Sequence, residues 1–162
     1  MRSTPLLAAG LGLSLTACVS LSRSEPVAPL APDVAAGARI GEIRLTTVDG
    51  LDLTPEFPGI FVQRVQSRLD TCATGERPLR LEASIERLDK ANPVQTAVVG
   101  DANVLRGTAR LVDPATERTV GEYQIGRTVV GGRVAVIRMA EAEEQMSDAF
   151  GQELCEQAFG GR

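Results

Sequence analysis

The chain has 162 residues, a formal net charge of −4 and 43% apolar residues, which suits one folded domain with a hydrophobic core. It contains no histidine, which excludes Ser-His-Asp and Cys-His catalytic arrangements and removes the commonest transition-metal ligand. The mild negative charge and the absence of tryptophan disfavour nucleic-acid binding, so we expect no nucleic-acid partner.

The first predicted element is a secretory signal. Arg2 precedes an uncharged run from Leu6 to Leu15, which is too short to span a bilayer as a permanent helix. The run ends in Leu15-Thr16-Ala17-Cys18, which resembles the lipobox of bacterial lipoproteins. That resemblance implies cleavage after residue 17 and a diacylglyceryl group on the sulfur of Cys18. The alternative is an ordinary signal peptide with a chance cysteine near the cleavage site.

Residues 18–38 follow the signal, and they lack periodicity and carry three prolines. This composition predicts a flexible tether of the Pro/Ala/Ser type, spanning roughly 60 Å if it is extended. We therefore expect the folded domain to cover residues 39–162 and to stand away from the membrane.

Alternation and helical spacing then divide the domain into elements. A strand is expected from Arg39 to about Val48, with Gly41, Ile43 and Leu45 facing inward. A helix is expected over 55–73, capped by Thr54, although Pro58-Gly59 could delay its start to Ile60. A strand over 79–89 follows, in which Leu88 breaks the phase and indicates a bulge or the end of the strand.

A hairpin and a last helix complete the domain. Residues 105–111 and 123–129 alternate on either side of an Asp113-Pro114 turn, and a helix is expected from about Ala140 to Ala158. The order is βαβββα, which predicts an α+β two-layer sandwich: a mainly antiparallel sheet of about four strands with two helices on one face.

Cysteine pairing constrains the helices. Once Cys18 is assigned to the lipid, Cys72 and Cys155 remain, and an even pair in an oxidising compartment predicts a disulfide. Each cysteine falls near the end of a predicted helix, so the bridge would join helix to helix. The alternative is two separate buried thiols.

Two clusters are candidates for chemistry or binding. Glu141, Glu143, Glu144 and Asp148 could hold a cation, but their place in the first turns of a helix favours a solvated face that complements the helix dipole. Arg106 and Arg110 lie on the expected open face of the sheet, where they could bind an anionic partner or simply keep the face soluble. No catalytic residue, metal ligand or cofactor is predicted.

The lipobox and the element order together resemble small bacterial lipoproteins with a βαβββα domain. Two sets are similar: accessory lipoproteins of the curli-secretion and penicillin-binding-protein-activator type, and the lipoprotein that plugs the lipopolysaccharide translocon. The resemblance implies a membrane-anchored, non-catalytic accessory or scaffold subunit with an envelope protein as partner. The lipid would anchor it in the outer membrane, since Val19 rather than Asp follows Cys18, with the domain facing the periplasm. A carboxylate-based enzyme or a small-ligand binder is a further alternative.

Overall fold

A computed structural model describes residues 19–91, 101–131 and 141–160. The strands among these residues are β1 (Val19–Ser22), β2 (Glu25–Ala28), β3 (Ala38–Thr47), β4 (Arg77–Asp89), β5 (Asp101–Asp113) and β6 (Arg118–Gly131). The helices are α1 (Pro32–Gly37), α2 (Phe57–Cys72) and α3 (Ala142–Phe159).

The strands form one open sheet in the order β1-β6-β5-β4-β3, and β2 also pairs with β6. β3 runs parallel to β4, and the other pairs are antiparallel. Helices α2 and α3 contact each other and pack on the sheet. The predicted α+β two-layer sandwich is confirmed, with six strands instead of about four and with the short helix α1 added.

Residues 19–38 differ from the predicted tether. They form β1, β2 and α1, and the first two lie along the edge of β6. Composition could not indicate this, because the hydrogen-bond partners of β1 and β2 lie about a hundred residues away in the chain. Residues 19–38, predicted to be a tether, are therefore part of the described fold.

Two β-bulges set which residues face the core. In β3 the register shifts between Ile40 and Glu42, so Ile40 is buried while Gly41, predicted to face inward, is exposed. In β4 the register shifts between Ile85 and Arg87, which confirms the bulge indicated by the phase of Leu88. The shift lets Leu88 return to the core after the bulge.

Both long helices bury most of the apolar stripe that their spacing predicts, but Val62, which the spacing assigns to the stripe of α2, is exposed. In α2 the buried residues are Phe57, Phe61, Val65, Leu69 and Cys72. In α3 they include Ala142, Met146, Ala149, Phe150, Leu154 and Ala158. The ring of Phe61 lies edge-on to that of Phe150, with centroids 5.1 Å apart, and joins the two stripes.

The start of α2 differs from the prediction. The helix begins at Phe57, and Thr54 does not cap it. Thr54 instead donates both its backbone N–H and its hydroxyl to Glu143, which is near the start of α3. A tertiary partner has therefore replaced the local cap.

Candidate functional site

The amino-terminal strand β1 is the part of the described chain closest to Cys18, which itself lies outside the described residues. β1 pairs antiparallel with the end of β6, from Val19 opposite Val130 to Ser22 opposite Arg127. Any group attached to residue 18 is therefore one residue from the edge of the sheet.

A buried ion pair fixes β1 against α3. The carboxylate of Glu153, which is fully buried, accepts hydrogen bonds from the hydroxyl of Ser22 and from the guanidinium of Arg127. Arg127 Nε is buried and has no hydrogen-bond partner within the described residues, where Glu153 is the acidic side chain paired with this guanidinium. Removing one partner of a buried pair leaves a charge unpaired, at a cost of about 3–5 kcal/mol.

Further hydrogen bonds continue this attachment beyond β1. The N–H of Arg23 donates to the carbonyl of Gly126 over 2.8 Å, and the N–H of Leu30 donates to the hydroxyl of Tyr123 over 2.7 Å. Tyr123 is 1% exposed, and this burial raises the pKa of its phenol despite the opposing effect of the Leu30 N–H. The segment from residue 19 to residue 30 is thus held to β6 along its length.

A disulfide joins the two long helices. Cys72 in α2 and Cys155 in α3 are bonded, with their Cα atoms 5.8 Å apart, as the cysteine count predicted. Arg64 and Arg68 of α2 meet Glu144 and Asp148 of α3, so residue numbers rise together along the helices, which are therefore parallel. Parallel helices bring the two carboxyl-terminal halves together, which places the cysteines within bonding reach.

The predicted acidic cluster is divided among separate basic partners. Glu144 and Asp148 lie four residues apart on α3, and both contact Arg64 of α2. Within the described residues, no group of three or more His, Cys, Asp or Glu side chains could hold a metal ion. Glu144 and Asp148 therefore join α2 to α3, while Glu143 is buried, so the predicted solvated face is wrong for this residue.

Glu143 points to the other side of α3 and lies in a small cavity of about 310 Å³. Its carboxylate accepts hydrogen bonds from the Thr54 N–H over 2.9 Å and from Lys90 Nζ over 2.8 Å. Burial alone would raise the pKa of Glu143, but the bonds from Lys90 and Thr54 outweigh it and lower the pKa below its usual value. The carboxylate is therefore held ionised, and its oxygens are already hydrogen-bonded to Thr54 and Lys90. This arrangement suits a structural contact better than proton transfer.

The open face of the sheet carries Arg106 and Arg110, and both are exposed there as predicted. Arg110 lies in a row across four strands in which charge alternates; the row consists of Arg44, Glu82, Arg110 and Glu122. Arg110 Nε is 3.9 Å from the Glu122 carboxylate. Arg106 lines a cavity with Arg23, Glu25 and Glu86. The face is therefore mixed in charge, and its role in docking stays a prediction.

Solved structures with a similar architecture come from bacteria. PelC from Paraburkholderia phytofirmans, solved as a dodecamer, is 13% identical with a TM-score of 0.52, covering 86% of this chain and 99% of PelC. A single-substitution variant of PelC, also a dodecamer, is 12% identical with a TM-score of 0.53 and the same coverage. The Xanthomonas campestris protein XCC0632, of the family DUF330, is 14% identical with a TM-score of 0.48, covering 81% of this chain and 86% of that one.

The similarity to the two PelC structures establishes a shared fold. No protein-family model matches the sequence, and no curated protein matches it. Among the described residues, no helix is long and apolar enough to cross a membrane.

Sequence reasoning missed two clusters, Ser22–Arg127–Glu153 and Thr54–Lys90–Glu143. Each joins residues that are far apart in the chain, so no local pattern links them. One signal was available: Glu153 falls between the apolar positions Phe150 and Leu154 of the helical stripe. A carboxylate on the buried side of a helix needs a cationic partner, which could have prompted a search for one.

Proposed function

We propose that this chain is a lipid-anchored, non-catalytic accessory or scaffold subunit of the bacterial cell envelope. The observation that carries the proposal is the position of the lipobox relative to the fold. Cys18 immediately precedes β1, so its acyl chains would be joined directly to the edge of the sheet. Lipid contributes about 0.8 kcal/mol per buried CH₂, so two or three chains would hold the domain on the membrane almost permanently.

The charged side chains that could act in catalysis are paired with one another inside the domain, which supports an accessory role over an enzymatic one. The side chains with the strongest catalytic potential, Glu143 and Lys90, are paired with each other. Glu144 and Asp148 are likewise engaged by arginines of α2. A general acid or base needs a group that is free to exchange a proton near neutral pH, whereas Lys90 and Thr54 hold the carboxylate of Glu143 ionised.

The proposed location is the periplasmic side of the outer membrane, with a further envelope protein as partner. Val19 follows Cys18 in place of the aspartate that retains enterobacterial lipoproteins at the inner membrane. Arg106 and Arg110 on the open face are the proposed contact with an anionic partner surface.

Cell fractionation tests the anchoring. The unaltered chain should stay with membranes after a high-salt wash, and Cys18→Ala should accumulate as uncleaved precursor or as soluble protein. Replacing Cys72 and Cys155 together by alanine is the matched control, because it removes the two other cysteines and leaves Cys18. Full retention of Cys18→Ala on washed membranes would contradict the proposal.

Crosslinking in intact cells, followed by purification from detergent-solubilised envelope, tests the accessory role. A single abundant envelope protein recovered with the unaltered chain supports it. Recovery of no partner would argue against it.

A second candidate is a self-assembling envelope subunit. The PelC structures that share this fold are dodecamers, and β3 is an edge strand of the described sheet. Only the start of β3 has a further backbone partner among the described residues, through the bridge between Arg39 and Thr74. Such an edge can pair with a strand of another chain. Light scattering on the detergent-solubilised lipoprotein distinguishes a self-assembling subunit from an accessory subunit. A measured mass that is a multiple of the protomer mass favours self-assembly, and the mass of a monomer excludes it.

A further inference from the structure

The topology brings several chain segments to the end of the sheet where β1 begins, which we call the anchored end. β6 finishes there at Gly131 and β5 begins there at Asp101, because Val19 lies opposite Val130 and Gly131 lies opposite Asp101. β3 also ends there, because it is parallel to β4 and β4 is antiparallel to β5. The turn between β5 and β6, around Ala115, lies at the opposite end.

β1 has little freedom to swing away from the sheet. Ser22 is bound to the buried Glu153, and the N–H of Arg23 is bound to Gly126, so the strand is held from both the helix layer and the sheet. A lipid at residue 18 therefore fixes the position of the whole domain rather than the end of a flexible chain.

Two exposed apolar side chains lie at this end on the open face. Ser22 faces α3, so its neighbour Leu21 faces the opposite side of the sheet, where it is 51% exposed. Leu21 lies opposite Thr128, and Val130, on the same face of β6, is 38% exposed. These are among the few large apolar side chains that the described surface exposes.

We infer that the anchored end rests on the phospholipid bilayer, with Leu21 and Val130 in contact with the interface and the sheet extending away from it. The inference depends on the proposed lipidation of Cys18, which places acyl chains one residue from β1. It adds an orientation, with one end of the domain against lipid and the β5–β6 turn facing the periplasm.

The charge of the same end specifies the kind of lipid. Among the described residues of this end, the loop from β3 to α2 carries the exposed acids Asp49, Asp52 and Glu56. These acids would repel anionic headgroups, so the contact suits a zwitterionic surface and does not rely on electrostatic attraction. Orientation should therefore persist at high salt.

Tryptophan fluorescence tests the orientation, since the natural chain has no tryptophan and a single introduced residue is a unique probe. Val130→Trp and Leu21→Trp report on the anchored end. Ala115→Trp is the matched control, because it is exposed and lies about 40 Å farther along the hairpin at about 3.3 Å per residue. The full lipidated chain is reconstituted into zwitterionic vesicles whose acyl chains are brominated, since bromine quenches tryptophan on contact.

Val130→Trp should lose about half of its fluorescence, because an interfacial side chain lies at the boundary of headgroups and acyl chains. Leu21→Trp should behave similarly, and Ala115→Trp should be unchanged. Protein that co-floats with the vesicles but is quenched equally at both ends, or only in Ala115→Trp, would contradict the proposed orientation. Such a result would leave the anchoring intact. Failure of the unaltered lipoprotein to co-float would overturn both. Leu21→Trp keeps the test decisive if Val130→Trp does not fold.

Discussion

Substituting Gly151 tests the close packing of the parallel helices α2 and α3. A Cβ built on Gly151 would lie 2.8 Å from Arg68 Cβ and 3.3 Å from Val65 Cα. Carbon atoms pack at about 3.5–4.0 Å, so the helices would have to separate by roughly 1 Å. Arg68 Cβ and Val65 Cα are fixed to the α2 backbone and cannot rotate away.

Two opposing effects decide the magnitude. Alanine is about 1 kcal/mol better than glycine in a helix interior, and overpacking a close contact costs about 1–3 kcal/mol. Since the contact lies between backbone-fixed atoms, we expect Gly151→Ala to lower the free energy of unfolding by about 1 kcal/mol net.

Gly59→Ala is the matched control. Gly59 also lies in a helix, but its added Cβ would meet nothing within 4 Å. The propensity gain should appear alone, raising the free energy of unfolding by up to about 1 kcal/mol. Urea unfolding of the oxidised domain measures both variants. If Gly151→Ala is as stable as Gly59→Ala, the helices are not packed as closely as described.

The other predictions concern the disulfide, the Glu143 contact and the open face. Mass spectrometry of non-reduced, alkylated protein should find Cys72 and Cys155 bonded, and replacing both by alanine should cost about 4 kcal/mol for a loop of this length; two alkylated thiols would contradict the bridge. The pKa of Glu143 is lowered by folding, so its stabilising effect is complete above the ordinary value of 4.5 and is lost as the pH falls below it. Glu143→Gln should therefore flatten the acid side of the stability profile, and an unchanged profile would refute this. Reversing Arg106 and Arg110 to glutamate should leave the melting temperature nearly unchanged and reduce partner recovery; unchanged recovery would assign these arginines to solubility alone.

Sequence patterns predicted the elements whose evidence is local. The alternation over 79–89 corresponds to β4, and the apolar stripes of both long helices are buried as expected, apart from the exposed Val62. The hairpin was placed correctly because its turn and its two alternating strands are adjacent in the chain. Local periodicity sufficed wherever a whole element packs one face on the core.

Contacts between distant residues explain what could not be predicted. β1 and β2 are short and become strands only because β6 offers them an edge, so their own composition predicted a tether. The shift of the inward face of β3 from Gly41 to Ile40 depends on a bulge in its pairing with β4. Glu153 and Arg127 were missed for the same reason, since their pairing exists only in the assembled sandwich.

The most direct test of the account is the intact mass of the mature protein extracted from membranes. The account predicts a chain that begins at Cys18 and carries two or three acyl chains, with a mass lowered by the two hydrogens lost in the Cys72–Cys155 bridge. A mature chain that begins elsewhere, or that begins at Cys18 without lipid, would contradict the anchoring on which the proposed function and orientation rest.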